Sequence, residues 1–261
     1  MIDYFQIQRL ASLKEVPAGI IEKDYFIELL LYYLSNSEYF SEKAVFRGGT
    51  ALKKIYFPDY RYSEDLDFIV TEKENLADFE KELDEILLKV SDDFPFTPTK
   101  VSNIKNDRLQ IFFSYNIIPE IISIKELKVD ILSDLYIPSY EKKKIIFTHQ
   151  DFKGKEYKLN TYTLESVATD KILRILDVDK EARDIYDLWY LLKLDLNIFK
   201  IKEELRKRFG YDFNFYNLLR EINSTIYKKT WKLRLEKQVL NLKPCESVLK
   251  ELEELIKNKF S

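Results

Sequence analysis

Two adjacent glycines in a glycine-poor chain constrain this sequence most. Gly48 and Gly49 are two of only five glycines in 261 residues, and they follow a short predicted strand, Ala44–Phe46. Asp65 stands sixteen residues after Gly49, and Asp67 two residues further on. A strand that ends in a Gly-Gly turn before a helix presents backbone N–H groups, and glycine lets that backbone approach a ligand closely. The pattern therefore predicts an anion-binding turn next to a pair of carboxylates.

The carboxylate pair lies on a predicted strand. In a strand, residues i and i+2 face the same way, about 6.5–7 Å apart, so Asp65 and Asp67 project from one face while Leu66 enters the core. A third carboxylate, Asp130, interrupts the apolar alternation of another predicted strand, Glu126–Leu132. Three carboxylates on neighbouring strands suit the two divalent cations of phosphoryl transfer. Because all the ligands are oxygens, the expected ion is Mg2+, or else Mn2+.

Each feature alone also has a plain explanation. A Gly-Gly pair is usually an ordinary turn, Asp-x-Asp is often a solvated strand end, and Asp130 could pair with a lysine. These features occur in a fixed order: a strand, the glycine turn, a helix and then the strands that carry the carboxylates. This order favours a single site in which the glycine turn and the carboxylates act together. The candidate phosphate-binding residues of that site are Gly48, Gly49, Thr50, Lys53, Arg61 and Ser63.

Composition excludes several other kinds of site. The single cysteine, Cys245, rules out a disulfide framework and a thiolate metal site. The single histidine, His149, argues against a histidine-based zinc centre, and we interpret it as incidental. No signal-peptide pattern is present, and the longest apolar run, Phe26–Leu34, is too short to span a bilayer. We therefore expect a soluble, cytoplasmic protein with no membrane segment.

The charge is unevenly distributed along the chain. Residues 200–261 carry 15 Lys and Arg against 9 Asp and Glu, a net charge of +6, whereas residues 1–199 carry 27 against 36, a net of −9. A basic C-terminal region can meet a phosphate backbone, and an ordinary solvated helical surface explains it equally well. Within it, the aromatic residues between Phe209 and Tyr216 suit either a helix-packing corner, which we favour, or stacking on single-stranded RNA.

Periodicity divides the chain near Thr163. An α+β domain, residues 1–163, precedes a helical domain, residues 164–261. The first is predicted to contain helices at Ile20–Leu34 and 73–90, and strands at the positions given above and at Leu109–Tyr115. We read the charged "SYEKKK" as a turn, followed by a strand pair at Ile145–Thr148 and Tyr157–Tyr162.

Three segments resemble one protein family. The segment "GGTALKKIYFPDYRYSEDLDF" is similar to the signature of the AbiEii/AbiGii abortive-infection toxins, a branch of the nucleotidyltransferase superfamily. The segment "EKDYFIELLL", from Glu22, resembles the N-terminal helix of these toxins, and "ATDKILRILDVDKEARDIYDLWYLL", from Ala168, resembles their C-terminal helical motif. The resemblance implies a nucleotidyltransferase-like mixed β-sheet with flanking helices, followed by a helical C-terminal region.

The resemblance also implies roles for residues that the pattern alone leaves open. Spacing by itself favours a surface ion pair between Arg183 and Asp187, one turn apart on a helix. Carried over from the family, Lys171 contacts the nucleotide triphosphate and Asp184 is needed for activity. The family match includes Lys23 and Asp24, to which we assign no chemistry.

The function expected from this resemblance is transfer of a nucleoside monophosphate from an NTP to an RNA acceptor, the tRNA 3′ end first. The protein would be the toxin of a toxin–antitoxin or phage-defence pair, with a cognate antitoxin that is often a winged-helix protein. Asp65, Asp67 and Asp130 would hold the metal ions. Two alternatives remain: an inactive nucleotide-binding module of the same fold, and a metal-dependent phosphodiesterase or nuclease.

Overall fold

A computed structural model describes residues 1–119, 124–177 and 180–260 of the chain. The chain forms two compact units, Met1–Thr161 and Tyr162–Ser261. Within the described residues no helix has the length and apolar character that a membrane span requires.

The first unit is built on a seven-stranded mixed sheet. Its helices are α1 (Tyr4–Lys14), α2 (Ala18–Asn36), α3 (Glu38–Lys43), α4 (Gly48–Ala51) and α5 (Leu76–Asp93), and the π-helix Leu52–Tyr56 directly continues α4. Its strands are β1 (Val45–Arg47), β2 (Asp65–Thr71), β3 (Thr99–Lys105), β4 (Arg108–Tyr115), β5 (Lys125–Asp134), β6 (Tyr140–Lys144) and β7 (Lys158–Tyr162). The strand order is β3-β4-β5-β2-β1-β7-β6.

The centre of the sheet sets the register of the candidate site. Strand β2 runs antiparallel to β1 and parallel to β5, and in the latter pairing Asp67 lies opposite Asp130. Leu66 and Phe68 of β2 are fully buried, as the alternation predicts, and so are the apolar residues that flank Asp130 in β5. The apolar sides of these strands form the core, so the two aspartates share the other side of the sheet.

Helix α2 supplies much of the core of the first unit. Thirteen of its nineteen residues are buried, and they are mostly large apolar side chains. Three of the buried residues are acidic: Glu22, Asp24 and Glu28. Buried carboxylates need charged or hydrogen-bonding partners, so this helix must carry contacts that its apolar pattern does not reveal.

Two sequence predictions for the segment after β5 are wrong. The charged "SYEKKK" contains strand β6, which lies at the edge of the sheet, where exposed charged side chains are common. Ile145–Thr148 is not a strand: the backbone N–H of Ile146 donates to the carbonyl of Lys54 at 2.7 Å, and that of Thr148 donates to the carboxylate of Glu28. Helix α1 and strand β3 were not predicted.

The second unit is helical, as predicted. Its helices are α6 (Leu164–Leu176), α7 (Ala182–Leu192), α8 (Ile198–Phe209), α9 (Phe215–Ile222), α10 (Thr225–Leu235) and α11 (Cys245–Phe260). The side chain of Thr163 caps α6 by accepting a hydrogen bond from the backbone N–H of Ser166. Helix α8 ends at Gly210, whose φ of 75° is the left-handed conformation that glycine adopts readily.

Candidate active site

The double glycine packs directly against other residues of the signature. Gly48 has a φ of 81°, and a Cβ atom placed on it would lie 2.6 Å from Oδ2 of Asp67. A Cβ atom on Gly49 would lie 2.7 Å from Nη2 of Arg61 and 3.2 Å from Oγ of Ser63. The turn therefore brings a carboxylate, a guanidinium and a hydroxyl close to its backbone, and the positive φ of Gly48 further favours glycine there.

Two effects would destabilise an alanine at position 48: the contact of its Cβ with Asp67 and the strain of a positive φ. Gly154 allows the two effects to be measured separately. Gly154 has a similar φ of 84°, but no atom lies within 4 Å of a Cβ placed there. Gly154→Ala should lower the free energy of unfolding by about 1–2 kcal/mol, the strain of a left-handed residue. We expect Gly48→Ala to lower it clearly further, because its methyl group also displaces the Asp67 carboxylate. Urea unfolding of both variants measures the difference, and equal losses would contradict the contact.

Thr50 and Lys53 use their polar atoms within the protein. The Thr50 hydroxyl donates to the backbone carbonyl of Asp65 and so ties α4 to the start of β2. The ammonium of Lys53 donates to the carbonyls of Pro58 and Tyr60 at 3.0 and 3.1 Å. Burial lowers the pKa of Lys53 to about 8. Both side chains thus fix the loop between the glycine turn and the carboxylate strand.

Asp130 is buried and surrounded by donors from β4 and β5. Nε and Nη2 of Arg108 lie 2.6 and 2.7 Å from its two carboxylate oxygens. Nζ of Lys128 lies 2.7 Å away and Nε2 of Gln110 3.1 Å away. Burial raises the pKa of Asp130, but the hydrogen bonds from Arg108, Lys128 and Gln110 outweigh burial and hold the pKa below its usual range. Asp130 is therefore a stable carboxylate that two cations already neutralise.

The three predicted metal ligands share one side of the sheet but are not gathered around one point. Among the described residues they do not form a group whose oxygens all lie within 4.8 Å of one another. Asp65 and Asp67 are partly exposed and Asp130 is buried. All the donors are carboxylate oxygens on paired strands, which is the ligand type that Mg2+ prefers. The carboxylate ligands therefore fit a divalent cation. To bind it, Asp130 would have to release the guanidinium of Arg108.

A different acidic cluster is gathered more tightly, beneath the π-helix. Ligand atoms of Asp24, Glu28 and His149 all lie within 4.8 Å of one another. The ammonium of Lys54 lies 2.8 Å from Asp24 and 2.8 Å from Glu28, so a lysine already supplies the positive charge. All four side chains are at most 6% exposed. We call these four residues the buried ion cluster.

Hydrogen bonds complete the buried ion cluster. The carboxylate of Glu28 accepts from the backbone N–H groups of Thr148 and His149 and from the Thr148 hydroxyl at 2.6–3.0 Å. Nε2 of His149 lies 3.1 Å from Oδ2 of Asp24. Burial raises the pKa of Asp24, but Lys54 and His149 lower it far below the usual value. His149 therefore has a structural role in the buried ion cluster, which the sequence did not indicate.

The second unit contains a separate group of buried ion pairs between helices α6 and α7. Nζ of Lys171 in α6 lies 2.7 Å from Oδ1 of Asp184 and 2.8 Å from Oδ2 of Asp187, both in α7. Nε of Arg174 contacts the other oxygen of Asp184 at 2.9 Å. Burial raises the pKa of Asp184, but Lys171 and Arg174 outweigh it, so the pKa is lowered. The structure thus brings Lys171 and Asp184 together and adds Asp187, for which spacing alone favoured a surface ion pair with Arg183.

Several residues of these clusters escape sequence reasoning. Arg108 and Gln110 reach Asp130 only because β4 pairs with β5, with Gln110 opposite Asp130. Lys54 stands beside Lys53, yet the two ammonium groups bind different partners. One signal was present: Glu28 interrupts the most apolar stretch of the chain, and a charge in such a position predicts a buried partner.

The chain is similar to known proteins in both sequence and fold. The sequence profile of the nucleotidyl transferase AbiEii toxins of type IV toxin–antitoxin systems matches residues 29–258. The fold is similar to that of MenT4, a nucleotidyltransferase toxin from Mycobacterium tuberculosis, with a TM-score of 0.63 and 17% identity over 100% of this chain and 89% of MenT4. No curated protein sequence matches the chain. At this identity the likeness to MenT4 concerns the fold alone.

Proposed function

Because the chain belongs to the family of nucleotidyl transferase AbiEii toxins of type IV toxin–antitoxin systems, we propose that it transfers a nucleoside monophosphate from an NTP to an RNA acceptor. The observation that carries this proposal is the contact of the Gly48 backbone with Asp67, on a strand where Asp67 lies opposite Asp130. A backbone able to bind phosphate thus adjoins carboxylates able to bind a cation, which is the combination that phosphoryl transfer requires.

The metal ligands in this proposal are Asp65, Asp67 and Asp130. They would hold Mg2+, or Mn2+, which would neutralise charge on the phosphates and make the acceptor hydroxyl more acidic. Arg61 and Ser63 contact the glycine turn and supply a guanidinium and a hydroxyl for the phosphates. Thr50 and Lys53, predicted to bind the nucleotide, would contribute by fixing the backbone around it, since their polar atoms bind protein carbonyls.

Arg108 competes with a divalent cation for Asp130 in this proposal. Arg108→Gln removes a two-point, charge-assisted contact, so we expect Mn2+ to bind up to about tenfold more tightly. Isothermal titration with Mn2+ in the absence of nucleotide measures this change. Lys105→Gln, an exposed change at the end of the neighbouring strand β3, is the control and should leave the affinity unchanged. Unchanged or weaker Mn2+ binding in Arg108→Gln would contradict the competition.

Lys171 is the cation that we propose for the triphosphate. A lysine ammonium is a compact point charge that suits phosphate oxygens. In the second unit, Asp184 and Asp187 hold this ammonium from two sides at 2.7 and 2.8 Å. Asp184 would therefore act by orienting Lys171, and Asp187 would share that task.

The biological role that we propose is that of a toxin restrained by a cognate antitoxin. The tRNA 3′ end is the acceptor that we would test first, and a winged-helix protein is the antitoxin to look for in the neighbouring gene. The proposed site of action is the cytoplasm. Expression in a host with and without the neighbouring gene tests this role, because only the unpartnered protein should arrest growth.

The reaction itself is tested with total cellular RNA and each of the four NTPs, labelled at the α-phosphate. Label in RNA together with release of pyrophosphate supports transfer. RNA fragments without label would indicate the phosphodiesterase or nuclease instead. Nucleotide binding without incorporation on any RNA would indicate an inactive nucleotide-binding module.

A further inference from the structure

A group of neighbouring aromatic side chains in the second unit is only partly covered. Five aromatic residues lie between the last residue of α8 and the first turn of α9, and we call them the aromatic patch: Phe209, Tyr211, Phe213, Phe215 and Tyr216. None of the five is buried, and Tyr211 and Tyr216 are 63% and 67% exposed. The helix-packing corner favoured from the sequence is therefore wrong for Tyr211 and Tyr216, whereas the other three rings are partly buried.

The rings of the aromatic patch form two stacked groups, within which neighbouring rings are nearly parallel. The centroids of Phe209 and Tyr211 lie 5.4 Å apart with an angle of 21° between the planes, and Phe209 and Phe213 lie at 6.3 Å and 8°. Phe215 and Tyr216 stack at 4.3 Å and 27°. Phe213 also meets the ring of Phe260 in α11 edge-on, which anchors the patch to the rest of the unit. The two tyrosines thus hold flat, exposed faces on an anchored support.

Three exposed cations lie on the two helices that carry the aromatic patch. The side chains of Arg206, Lys207 and Arg220 are 70%, 53% and 74% exposed. Each lies 3.1–3.4 Å from an acidic side chain, respectively Asp212, Glu203 and Glu221. Exposed ion pairs of this kind contribute only about 0–1 kcal/mol, so a phosphate can replace the acid as partner.

We propose that the aromatic patch binds a single-stranded stretch of RNA, with bases stacked on Tyr211 and Tyr216 and phosphates on the flanking cations. Flat exposed rings among arginines and lysines are the combination that unpaired nucleotides require. An apolar protein partner would be a poorer match, because three charged side chains would then lose water at the interface. The choice of RNA rests on the proposed function, whereas the binding itself needs neither NTP nor metal.

Binding is measured by fluorescence anisotropy with a labelled oligouridine of about 12 nucleotides, without NTP or divalent cations. The full chain should bind, and more weakly as salt rises. The double variant Tyr211→Leu with Tyr216→Leu keeps apolar bulk but loses both flat rings, so its Kd should rise about thirtyfold or more. Tyr211→Phe with Tyr216→Phe should restore binding because the rings return.

The matched control is Phe199→Leu. Phe199 is 75% exposed in α8 but lies ten residues before Phe209, about 15 Å along the helix, so this change should leave the Kd unaltered. An equal loss in the control, or no binding by the full chain, would overturn the proposal. The proposal would also be overturned if the leucine variant changed self-association of the chain but did not change RNA binding.

The outcome also separates this proposal from the proposed function. If the chain binds the oligonucleotide through Tyr211 and Tyr216 but transfers no label to any RNA, the transferase proposal fails and the RNA-binding patch stands. If transfer occurs and the leucine variant shows an unchanged KM for RNA as well as an unchanged Kd, the patch proposal fails and the transferase stands.

Discussion

Asp67→Asn should lower the rate of nucleotide transfer by about a thousandfold or more while leaving the fold intact. Phosphoryl transfer depends almost wholly on positioning and on charge stabilisation, and a single charge is worth about that factor in related sites. Asparagine keeps the shape of the side chain next to Gly48 but removes its negative charge. The free energy of unfolding should stay the same or rise slightly, because repulsion between Asp65 and Asp67 is relieved.

The measurement compares incorporation of labelled NTP at saturating RNA with urea unfolding of the same preparation. Asp59→Asn is the matched control: it makes the same chemical change in the preceding loop, where the side chain is 89% exposed. Full transfer by Asp67→Asn would remove the carboxylate-held metal from the mechanism. A loss of transfer accompanied by unfolding would show only that Asp67 supports the structure.

Lys54→Met should lower the free energy of unfolding by about 3–5 kcal/mol, the largest stability effect that we expect in this protein. The change leaves the carboxylates of Asp24 and Glu28 buried without the ammonium that lies 2.8 Å from each. Methionine fills a similar volume, so the loss reports the missing charge more than a cavity.

Urea unfolding, followed by far-UV circular dichroism because both tryptophans lie in the second unit, measures this loss as a lower midpoint at an unchanged slope. Lys14→Met is the control, because the ammonium of Lys14 lies 3.4 Å from Asp59 at an exposed position and should contribute under about 1 kcal/mol. If the two variants lost the same stability, the buried ion cluster would be energetically no different from a surface pair.

The same cluster gives stability an acid dependence. Burial acts to raise the pKa of Asp24, but Lys54 and His149 lower it well below its unfolded value of 3.8. A depressed pKa means that the stabilisation is complete above the unfolded pKa and is lost as the pH falls through the folded pKa. The contribution of Asp24 is therefore complete at neutral pH, starts to fall below about pH 4, and is lost in stronger acid.

Sequence reasoning reached those parts of the fold in which local pattern and burial agree. Strands β2 and β5 were predicted because apolar residues alternate with carboxylates. In β2 the carboxylates are Asp65 and Asp67, and in β5 the carboxylate is Asp130. Strand β6 was missed because an edge strand buries little, so its charged residues resemble a turn. For the site, the glycine turn and its carboxylates were readable as an ordered motif.

The partners of the site residues were not readable, because they depend on pairing between distant segments. Arg108 meets Asp130 through the register of β4 and β5, and Glu28 meets His149 across 121 positions of the chain. The exposure of two rings in the aromatic patch, Tyr211 and Tyr216, was misjudged for the converse reason. Local composition suggested packing, but whether a ring is covered depends on elements elsewhere in the chain, and at Tyr211 and Tyr216 no described element covers it.

The neighbours Lys53 and Lys54 have a consequence for ligand recognition. One ammonium fastens the π-helix to the carbonyls of the following loop, and the other fastens it to α2. The backbone that follows the double glycine is thereby immobilised from both sides before any nucleotide arrives. A triphosphate would meet a preorganised anion hole, so that little conformational entropy is lost on association, and affinity there should depend on charge and shape more than on induced fit.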